Sequence, residues 1–398
     1  KLLNSGASET LKTNSLTVEF TSNPVWYAVQ SLPYLMEYPY ECAEQTFNRY
    51  YANTLAAHIT TAMPKIKAVF EQWKTTDTAA LLSNLQKNEE LKSALLQETP
   101  WVLDAQSESQ QKKNIALLFD MVKMSAEKNK AISKLKEMQS PNGGFVWFTG
   151  GPDDRYITQY IITGIGHLLK LKAISNDDKD IMAMAARALP YLDKKIKEDY
   201  DWLVKHKIKL SRNNLSSIAI QYLYMRSFFP GTKIAAASQT AAAYYTGQAK
   251  KYWLQNSKYE QAMIALALFR SNDAVTPKAI IRSLKENALV KEEMGMYWKE
   301  NYENYYWYQA PIEAQALMIE AFDEVTNDTQ AVDDLKTWLV KSKQTQHWGT
   351  TRSTTEAVYA MLLKGTDWLS TEPNVEIQVG DIKLDPKTDA SIKVEPGT

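Results

Sequence analysis

The chain has 398 residues, enough for two or three domains and a sizeable core. Lys+Arg and Asp+Glu both number 46, and this balance speaks against nucleic-acid binding or a polybasic membrane surface, each of which needs a basic excess. No apolar run approaches the roughly 18 residues a transmembrane helix needs, and a single cysteine excludes a disulfide scaffold.

Gly and Pro number 14 each, so turns are few and helices are expected to dominate. The opening Lys1-Leu2-Leu3-Asn4 shows neither an initiator Met nor a basic segment followed by an apolar run. The chain therefore reads as a mature or excised piece whose targeting signal lies out of view.

In chain order, Leu16, Val18 and Phe20 alternate with Thr17 and Glu19, the period of a half-buried strand. At the other end Val375, Ile377 and Val379 alternate, followed by Gly380-Asp381 and then Ile382 and Leu384, which reads as a β-hairpin. Ile392 and Val394 suggest one more strand. A β layer supplied by residues 1–25 and 369–398 implies that the middle, residues 26–368, is inserted into it, with Ser22-Asn23-Pro24 and Thr371-Glu372-Pro373-Asn374 at the boundaries.

That middle is helical. Residues 79–97, 112–138, 156–172, 178–197, 213–228, 257–270, 309–324, 328–342 and 352–364 carry apolar positions at spacings of three and four. The alanine-rich stretch from Ala235 to Ala243 reads as a further helix, and the polar stretch from Gln106 to Lys113 as linker. Asn213 and Asn214, Ser257 and Thr351 stand where helix caps are expected. A weak repeat runs through the block: an aromatic loop followed by a helix, at Gly144-Phe145-Val146-Trp147, at Tyr305-Tyr306-Trp307-Tyr308 and at Trp348-Gly349. Units of about 40 to 50 residues suggest stacked helical hairpins, and the number of helices favours a closed α/α ring over an open solenoid.

The cysteine lies in Tyr38-Pro39-Tyr40-Glu41-Cys42-Ala43-Glu44-Gln45-Thr46. Cys42 and Gln45 are three apart, so in a helical turn their side chains share a face. A thiol and a carboxamide so placed can close an internal thioester with loss of ammonia, in a ring of about 15 members that such a turn can span. The product is an electrophile, an acyl group on a good leaving sulfur, rather than the usual cysteine nucleophile. It must be kept from water, and Tyr38, Tyr40, Phe47, Tyr50 and Tyr51 are candidates for a dry shell.

At these residues the chain resembles the alpha-2-macroglobulin and complement thioester family, whose core Cys-x-Glu-Gln stands here as Cys42-Ala43-Glu44-Gln45. The form Tyr-Pro-Tyr-x-Cys-x-Glu-Gln-Thr resembles its bacterial branch, in which Tyr38 matches a tyrosine. Met138-Gln139-Ser140-Pro141-Asn142-Gly143-Gly144-Phe145 is similar to the family's Gln-x-Pro-Asp-Gly-x-Phe loop. Ile312-Glu313-Ala314-Gln315-Ala316-Leu317 is similar to a later helix, and Trp348-Gly349-Thr350-Thr351 to the last loop before the closing helix. The resemblance implies a mainly α protein, an α/α toroid inserted into a small CUB-like β-sandwich built by both ends of the chain. It further implies one part of a large cell-envelope protease inhibitor, periplasmic or at the surface and open to a lipid anchor outside this stretch. Its partners would be trapped proteases and the remaining domains of the same protein, with no nucleic acid, cofactor or metal, and with a single acylation in place of enzymatic turnover.

The pattern departs from the animal Gly-Cys-Gly-Glu-Gln, because Glu41 and Ala43 replace both glycines and restrict φ. Some relatives redirect the acyl group to hydroxyls with a histidine after the Gln-x-Pro-Asp-Gly loop; residues 145–158 contain none, so the resemblance implies amines, such as lysines, as acceptors.

Other readings stand beside these. Cys42 can be a buried structural cysteine. Glu44 either favours the first turn of its helix electrostatically or orients the Gln45 amide. Tyr38 and Tyr40 are either core aromatics or shields, and Glu313 either bonds inside the ring or lines the thioester pocket. His58, His167, His206 and His347 show no metal-ligand spacing, and Asp153-Asp154 reads as a solvated loop. Two further hypotheses are a glycan-active toroid enzyme, with 11 Trp and 22 Tyr to line a groove, and a thioester-domain relative that is unreactive and purely structural. A terpene-cyclase or prenyltransferase reading lacks Asp-x-Asp-Asp and a zinc set.

Overall fold

A computed structural model describes residues 16–19, 25–62, 121–299, 310–343, 348–363, 377–379, 382–384 and 391–394. Twelve α-helices dominate these residues. They are α1 (Val25–Met36), α2 (Ala43–Ala62), α3 (Met121–Glu137), α4 (Arg155–Lys170), α5 (Lys179–Lys205) and α6 (Ser217–Arg226). The second half adds α7 (Ala236–Tyr252), α8 (Lys258–Arg270), α9 (Thr276–Glu286), α10 (Pro311–Thr326), α11 (Thr329–Lys341) and α12 (Thr351–Leu362). The expected helix over 79–97 and the Gln106–Lys113 linker lie outside the described residues, as do Tyr305 to Tyr308, His347 and the proposed boundary segments.

Two kinds of helix alternate along the chain. In α4 every residue from 157 to 168 is buried, in α8 every residue from 259 to 268, and in α10 every residue from 313 to 322. A helix buried all round needs neighbours on every side. By contrast α9 buries Thr276, Pro277, Ile280, Ile281 and Leu284, a stripe at spacings of three and four that covers one face. The packing follows this division: α2, α4, α6, α8, α10 and α12 each touch the next, and α12 returns to α2. Outside them, α3 lies on α2, α5 on α4, α9 on α8 and α10, and α11 on α10, while α1 bridges α2 and α12.

One carboxylate joins four of the inner helices. Glu320 of α10 is fully buried and accepts hydrogen bonds from Lys170 of α4 at 2.9 Å, Arg270 of α8 at 2.6 Å and Tyr359 of α12 at 2.6 Å, and from Tyr224 of α6. Burial works to raise its pKa, but the charges of Lys170 and Arg270 outweigh it and hold the carboxyl below the usual carboxylate range. Glu324, one turn on, takes a further pair of bonds from Arg270 at 2.7 and 2.8 Å. His167 sits within the same network, stacked on the Tyr359 ring at 3.7 Å with its Nε2 2.9 Å from the Tyr224 hydroxyl.

The repeat is built from recurring contacts rather than recurring letters. The short strands β2 (Phe145–Val146) and β3 (Asp153–Asp154) pair before α4, and β4 (Leu289–Lys291) and β5 (Gly295–Tyr297) pair before α10. In each loop a glycine with positive φ lies against the backbone of an outer helix: a Cβ on Gly143 would sit 2.0 Å from the Arg187 carbonyl oxygen, and one on Gly295 2.0 Å from that of Asp334. Thr158 accepts the Phe145 N–H at 2.8 Å as Thr354 accepts that of Trp348 at 3.1 Å. Trp298 donates its indole N–H to the Leu284 carbonyl, as Trp348 does to that of Leu339. Gly164 of α4 leaves the room into which the Phe47 ring of α2 fits, since a Cβ there would come within 2.3 Å of it.

Several expectations shift by a few residues. The helix expected over 178–197 runs on to Lys205. The caps of α6 and α12 are Ser216 and Thr350, whose hydroxyls accept the Ala219 and Ser353 N–H groups. Asn214 bonds Tyr244 instead, and Thr351 becomes the first helical residue. Ser257 does cap α8, in a reciprocal capping box with Glu260. Asp154 caps α4 and Asp153 accepts from Asn142 at 3.2 Å, which gives this pair a structural role. At the ends, β1 (Leu16–Glu19) pairs antiparallel with β8 (Ser391–Val394), and β6 (Ile377–Val379) with β7 (Ile382–Leu384) across the expected turn.

Gly143→Ala and Gly295→Ala are each expected to destabilise by about 2 kcal/mol or more, because both φ and the facing carbonyl oppose a Cβ. Gly247→Ala, in open space on α7, should stabilise by about 0.5 to 1 kcal/mol. Glu320→Leu should cost about 2 to 4 kcal/mol, because it leaves the buried Tyr224 and Tyr359 hydroxyls without this acceptor and removes one of the two carboxylates that Lys170 and Arg270 share. Urea unfolding midpoints of the four variants check all three statements.

Candidate functional site

The motif occupies the start of α2. Cys42 is the residue before the helix and its carbonyl accepts the Thr46 N–H at 2.9 Å, so Cys42 stands at the N-cap and Gln45 at the third helical position. These are the positions that a capping box joins, the arrangement in which a cap side chain and a third-residue side chain reach toward one another. Cys42 is 7% exposed and forms no disulfide. Burial pushes its thiol pKa up, opposed by the Gln45 and Glu44 N–H groups that point at the sulfur from the helix end. Gln45 is half-buried, and its side-chain oxygen is shut away without a hydrogen-bond donor among the described residues.

This turn is fixed from both neighbouring inner helices. The loop leading to α4 brings the Trp147 carbonyl to the Ala43 N–H at 2.9 Å, and the Trp147 ring stacks on Tyr156 of α4. From the other side, Thr351 at the start of α12 donates to Glu44 Oε1 at 2.7 Å. The same oxygen accepts from Asn48 at 2.6 Å, and Asn48 accepts from the Tyr160 hydroxyl of α4 at 2.7 Å. Of the two readings of Glu44, neither a dipole effect alone nor a bond to the Gln45 amide describes it: the carboxylate ties α2 to α12. Burial raises its pKa, while Thr351, Arg352 and Asn48 pull it back.

Glu313 of α10 belongs to the same surroundings. It is 4% exposed, accepts from Ser353 at 3.1 Å and lies 3.7 Å from Arg352. Glu44 and Glu313 thus flank one turn of α12, close enough that the Glu313 charge bears on Glu44. Glu356, one turn along α12, is pushed up to about 8, first by burial and then by Glu313 and Glu320 against Arg352. Tyr156 feels the charges of Arg352, Glu313, Glu44 and Glu356, Tyr259 those of Arg352, Glu356 and Glu313, and Arg352 donates to the Tyr259 hydroxyl at 3.1 Å.

The expected dry shell divides. Phe47, Tyr50 and Tyr51 are buried, and Tyr38 is half-buried with its ring edge on Tyr34 at 5.4 Å. Tyr40 is 64% exposed and is no part of a shell. Its carbonyl is the group in use, accepting from Arg49 at 3.1 Å, and that leaves the ring outside. His58 is half-buried on α2, His206 is exposed, and burial holds His167 down to about 3, so it stays neutral. Among the described residues no group of three His, Cys, Asp or Glu side chains can hold a metal ion, and no helix is long and apolar enough to cross a membrane.

The residues that sequence reasoning missed are the ones far away in the chain. Asn48 was readable as an i,i+4 partner of Glu44. Thr351 reads as a cap, one residue off, and Trp147 acts through its backbone, which leaves no letter to read.

No protein-family model matches the sequence, and no curated protein does. Solved structures it is similar to include bacterial alpha-2-macroglobulins. The Salmonella protein reacted with methylamine aligns with 96% of this chain over 20% of its own length, at 15% identity and a TM-score of 0.48. The native Escherichia coli protein from domain MG7 to its C-terminus aligns with 96% of this chain over 48% of its own, at 14% identity and a TM-score of 0.46. The native conformation of the E. coli protein aligns with 89% of this chain over 19% of its own, at 16% identity and a TM-score of 0.44. The chain therefore spans less than half the length of each.

The pH dependence of stability follows from Glu356. Its folded pKa of about 8 lies above the ordinary 4.5, so the unfolded chain ionises first and stability falls as pH rises from about 4.5 to 8. Glu356→Gln should remove this loss, gaining on the parent chain through that window and matching it below; urea unfolding at a series of pH values reads the difference.

Proposed function

We propose that this chain is the thioester-bearing helical domain of a bacterial alpha-2-macroglobulin-type protease trap, an α/α toroid carried as an insertion by a small CUB-like sandwich. The observation that carries the reading is the pairing of the sole cysteine with Gln45 across the N-cap and third position of a helix start that two other helices hold shut. The thiol is out of solvent, and so is the amide oxygen, as an acyl group stored against hydrolysis requires.

In this reading the Cys42 sulfur displaces ammonia from the Gln45 side-chain amide and forms the thioester. When the whole protein is cleaved and changes shape, a lysine amine of the trapped protease attacks the Gln45 carbonyl carbon. A C–N bond forms, the C–S bond breaks, and Cys42 leaves as a thiol after taking the proton that the amine gives up. Glu44 and Glu313 act as positioning residues, because Glu44 holds the start of α12 to α2 and Glu313 holds it to α10, and Tyr38 covers the approach. The reaction is a single acylation, located in the cell envelope. The domain boundaries proposed with it are 1–25 and 369–398 for the sandwich and 26–368 for the toroid.

A glycan-active enzyme is the second reading, favoured by the buried carboxylates Glu44, Glu313 and Glu356 beside Tyr156 and Tyr259. Against it, Glu44 and Glu313 are both engaged in bonds to α12 that hold the ring.

The test is intact mass with thiol titration, before and after methylamine. The expected result is a deficit of about 17 Da with Cys42 blocked, then an adduct of about 31 Da with one thiol released, both abolished by Cys42→Ala or Gln45→Ala. A free thiol with Gln45 converted to a glutamate side chain means a bond formed and later hydrolysed. A free thiol with an intact Gln45 amide and no adduct overturns the trap and leaves the structural relative, and glycan turnover in place of an adduct supports the enzyme.

A further inference from the structure

From Trp202 to Tyr259 the chain carries nine Lys or Arg and not one Asp or Glu, although the two kinds balance at 46 each over the whole sequence. The balance that speaks against a polybasic surface holds for the chain and fails for this stretch. Part of the stretch is the connection from α5 to α6, which is fixed against the end of α7. Tyr244 and Gln248 donate to the Leu210 carbonyl at 3.0 and 3.1 Å, Tyr252 donates to that of Ser211 at 2.5 Å, and Asn213 donates to the Gln255 side chain at 2.8 Å. The end of α5, the connection after it and the short turn Trp253–Gln255 are thereby brought together.

Two kinds of side chain are exposed there. Lys205, Lys207, Lys209, Arg212 and Lys251 are all exposed, and none forms an ion pair among the described residues. The acids that border the stretch in sequence are engaged elsewhere, Asp201 with Lys197 and Glu260 with the Ser257 cap. Among these cations Trp202 is 55% exposed, Val204 50% and Leu254 65%, and Ile208 is exposed as well. They make up four of the ten large apolar side chains that the described residues expose. The His206 ring stacks on that of Trp202 at 4.3 Å.

The combination narrows the occupant. A soluble polyanion would meet the cations and leave the apolar groups in water. An anionic bilayer takes both, because lipid phosphates meet Lys and Arg while Trp and aliphatic side chains enter the boundary beneath the headgroups. It also asks for no matching groove, since long lysine stems let each charge find its own headgroup. We infer that this end of the α5 and α7 pair rests on the surface of an anionic phospholipid bilayer, with Trp202, Ile208 and Leu254 in the headgroup boundary. The inference is independent of the thioester.

The experiment sediments the full chain with vesicles of phosphatidylglycerol in phosphatidylethanolamine, and with vesicles of phosphatidylcholine alone, over a series of lipid concentrations. The anionic vesicles should be bound about tenfold or more tightly than the neutral ones, and less so as salt is raised. Lys205→Gln, Lys207→Gln and Lys209→Gln together should weaken binding about a hundredfold, at about fivefold for each charge. Trp202→Ser with Leu254→Ser should weaken it about tenfold. A control that removes three exposed cations elsewhere, Lys278→Gln, Arg282→Gln and Lys291→Gln, should change it less than about threefold. Urea midpoints certify the fold of each variant, and one that fails is replaced by its single substitutions. Equal affinity for the two vesicle types, or none for either, overturns the inference, as does a control that loses as much as the Lys205, Lys207 and Lys209 variant. A loss confined to the lysine variant, with the Trp202 and Leu254 variant binding like the parent, means a polyanion site and overturns the bilayer as occupant.

Discussion

The ring of inner helices turns on Glu320. A carboxylate taken wholly out of water is unfavourable unless its partners are close, charged and correctly aimed. Here one partner comes from each of α4, α6, α8 and α12, so the group is satisfied only when four helices arrive at one point. Apolar packing between such helices is tolerant of small slides and rotations, because one methyl contact replaces another. The Glu320 bonds are directional and remove that tolerance. With α4 and α12 fixed about this point, the space between them is set, and α2 occupies it.

The chemistry of the motif depends on that placement. The first turn of any helix carries N–H groups without intrahelical acceptors, and it frays unless something meets them. In α2 the Trp147 carbonyl meets the first of them, the Cys42 sulfur faces others, and Glu44 is drawn onto Thr351. The turn holding Cys42 and Gln45 is consequently held in part by groups more than a hundred residues further along the chain, Trp147 and Thr351, and not by the motif's own letters alone. The geometry of the turn belongs to the packing of the inner helices as much as to two side chains.

This explains which features were legible in the sequence. Helices that expose one face, such as α9 and α11, carry polarity at the helical period, although α9 was passed over because its stripe is short. The inner helices α4, α6, α8, α10 and α12 are legible from apolar positions at spacings of three and four, and the start of α8 from its cap Ser257, which acts within one turn, whereas Asp154 reads as a solvated loop and caps α4 only in the structure. Cys42 and Gln45 were legible for the same reason, being local. The parts that could not be read are bonds between distant segments. Nothing near Glu320 announces four partners, a backbone carbonyl such as that of Trp147 has no letter, and Tyr40 reads as an aromatic like Tyr38 although its ring is largely exposed.

The pairing of β1 with β8 has a mechanical consequence. The register sets Leu16 against Val394 and Glu19 against Ser391, so the chain enters and leaves the pair at the same end. Tension applied to the flanking segments loads this ladder as a zipper, one rung at a time, and not in shear across all rungs together. Such a pair yields at low force, and the chain between Glu19 and Ser391 feels no load from outside it until the last rung opens. The four-residue pair is in this sense a weak link in series with a stiff body, and deformation arriving from neighbouring parts would be spent there first.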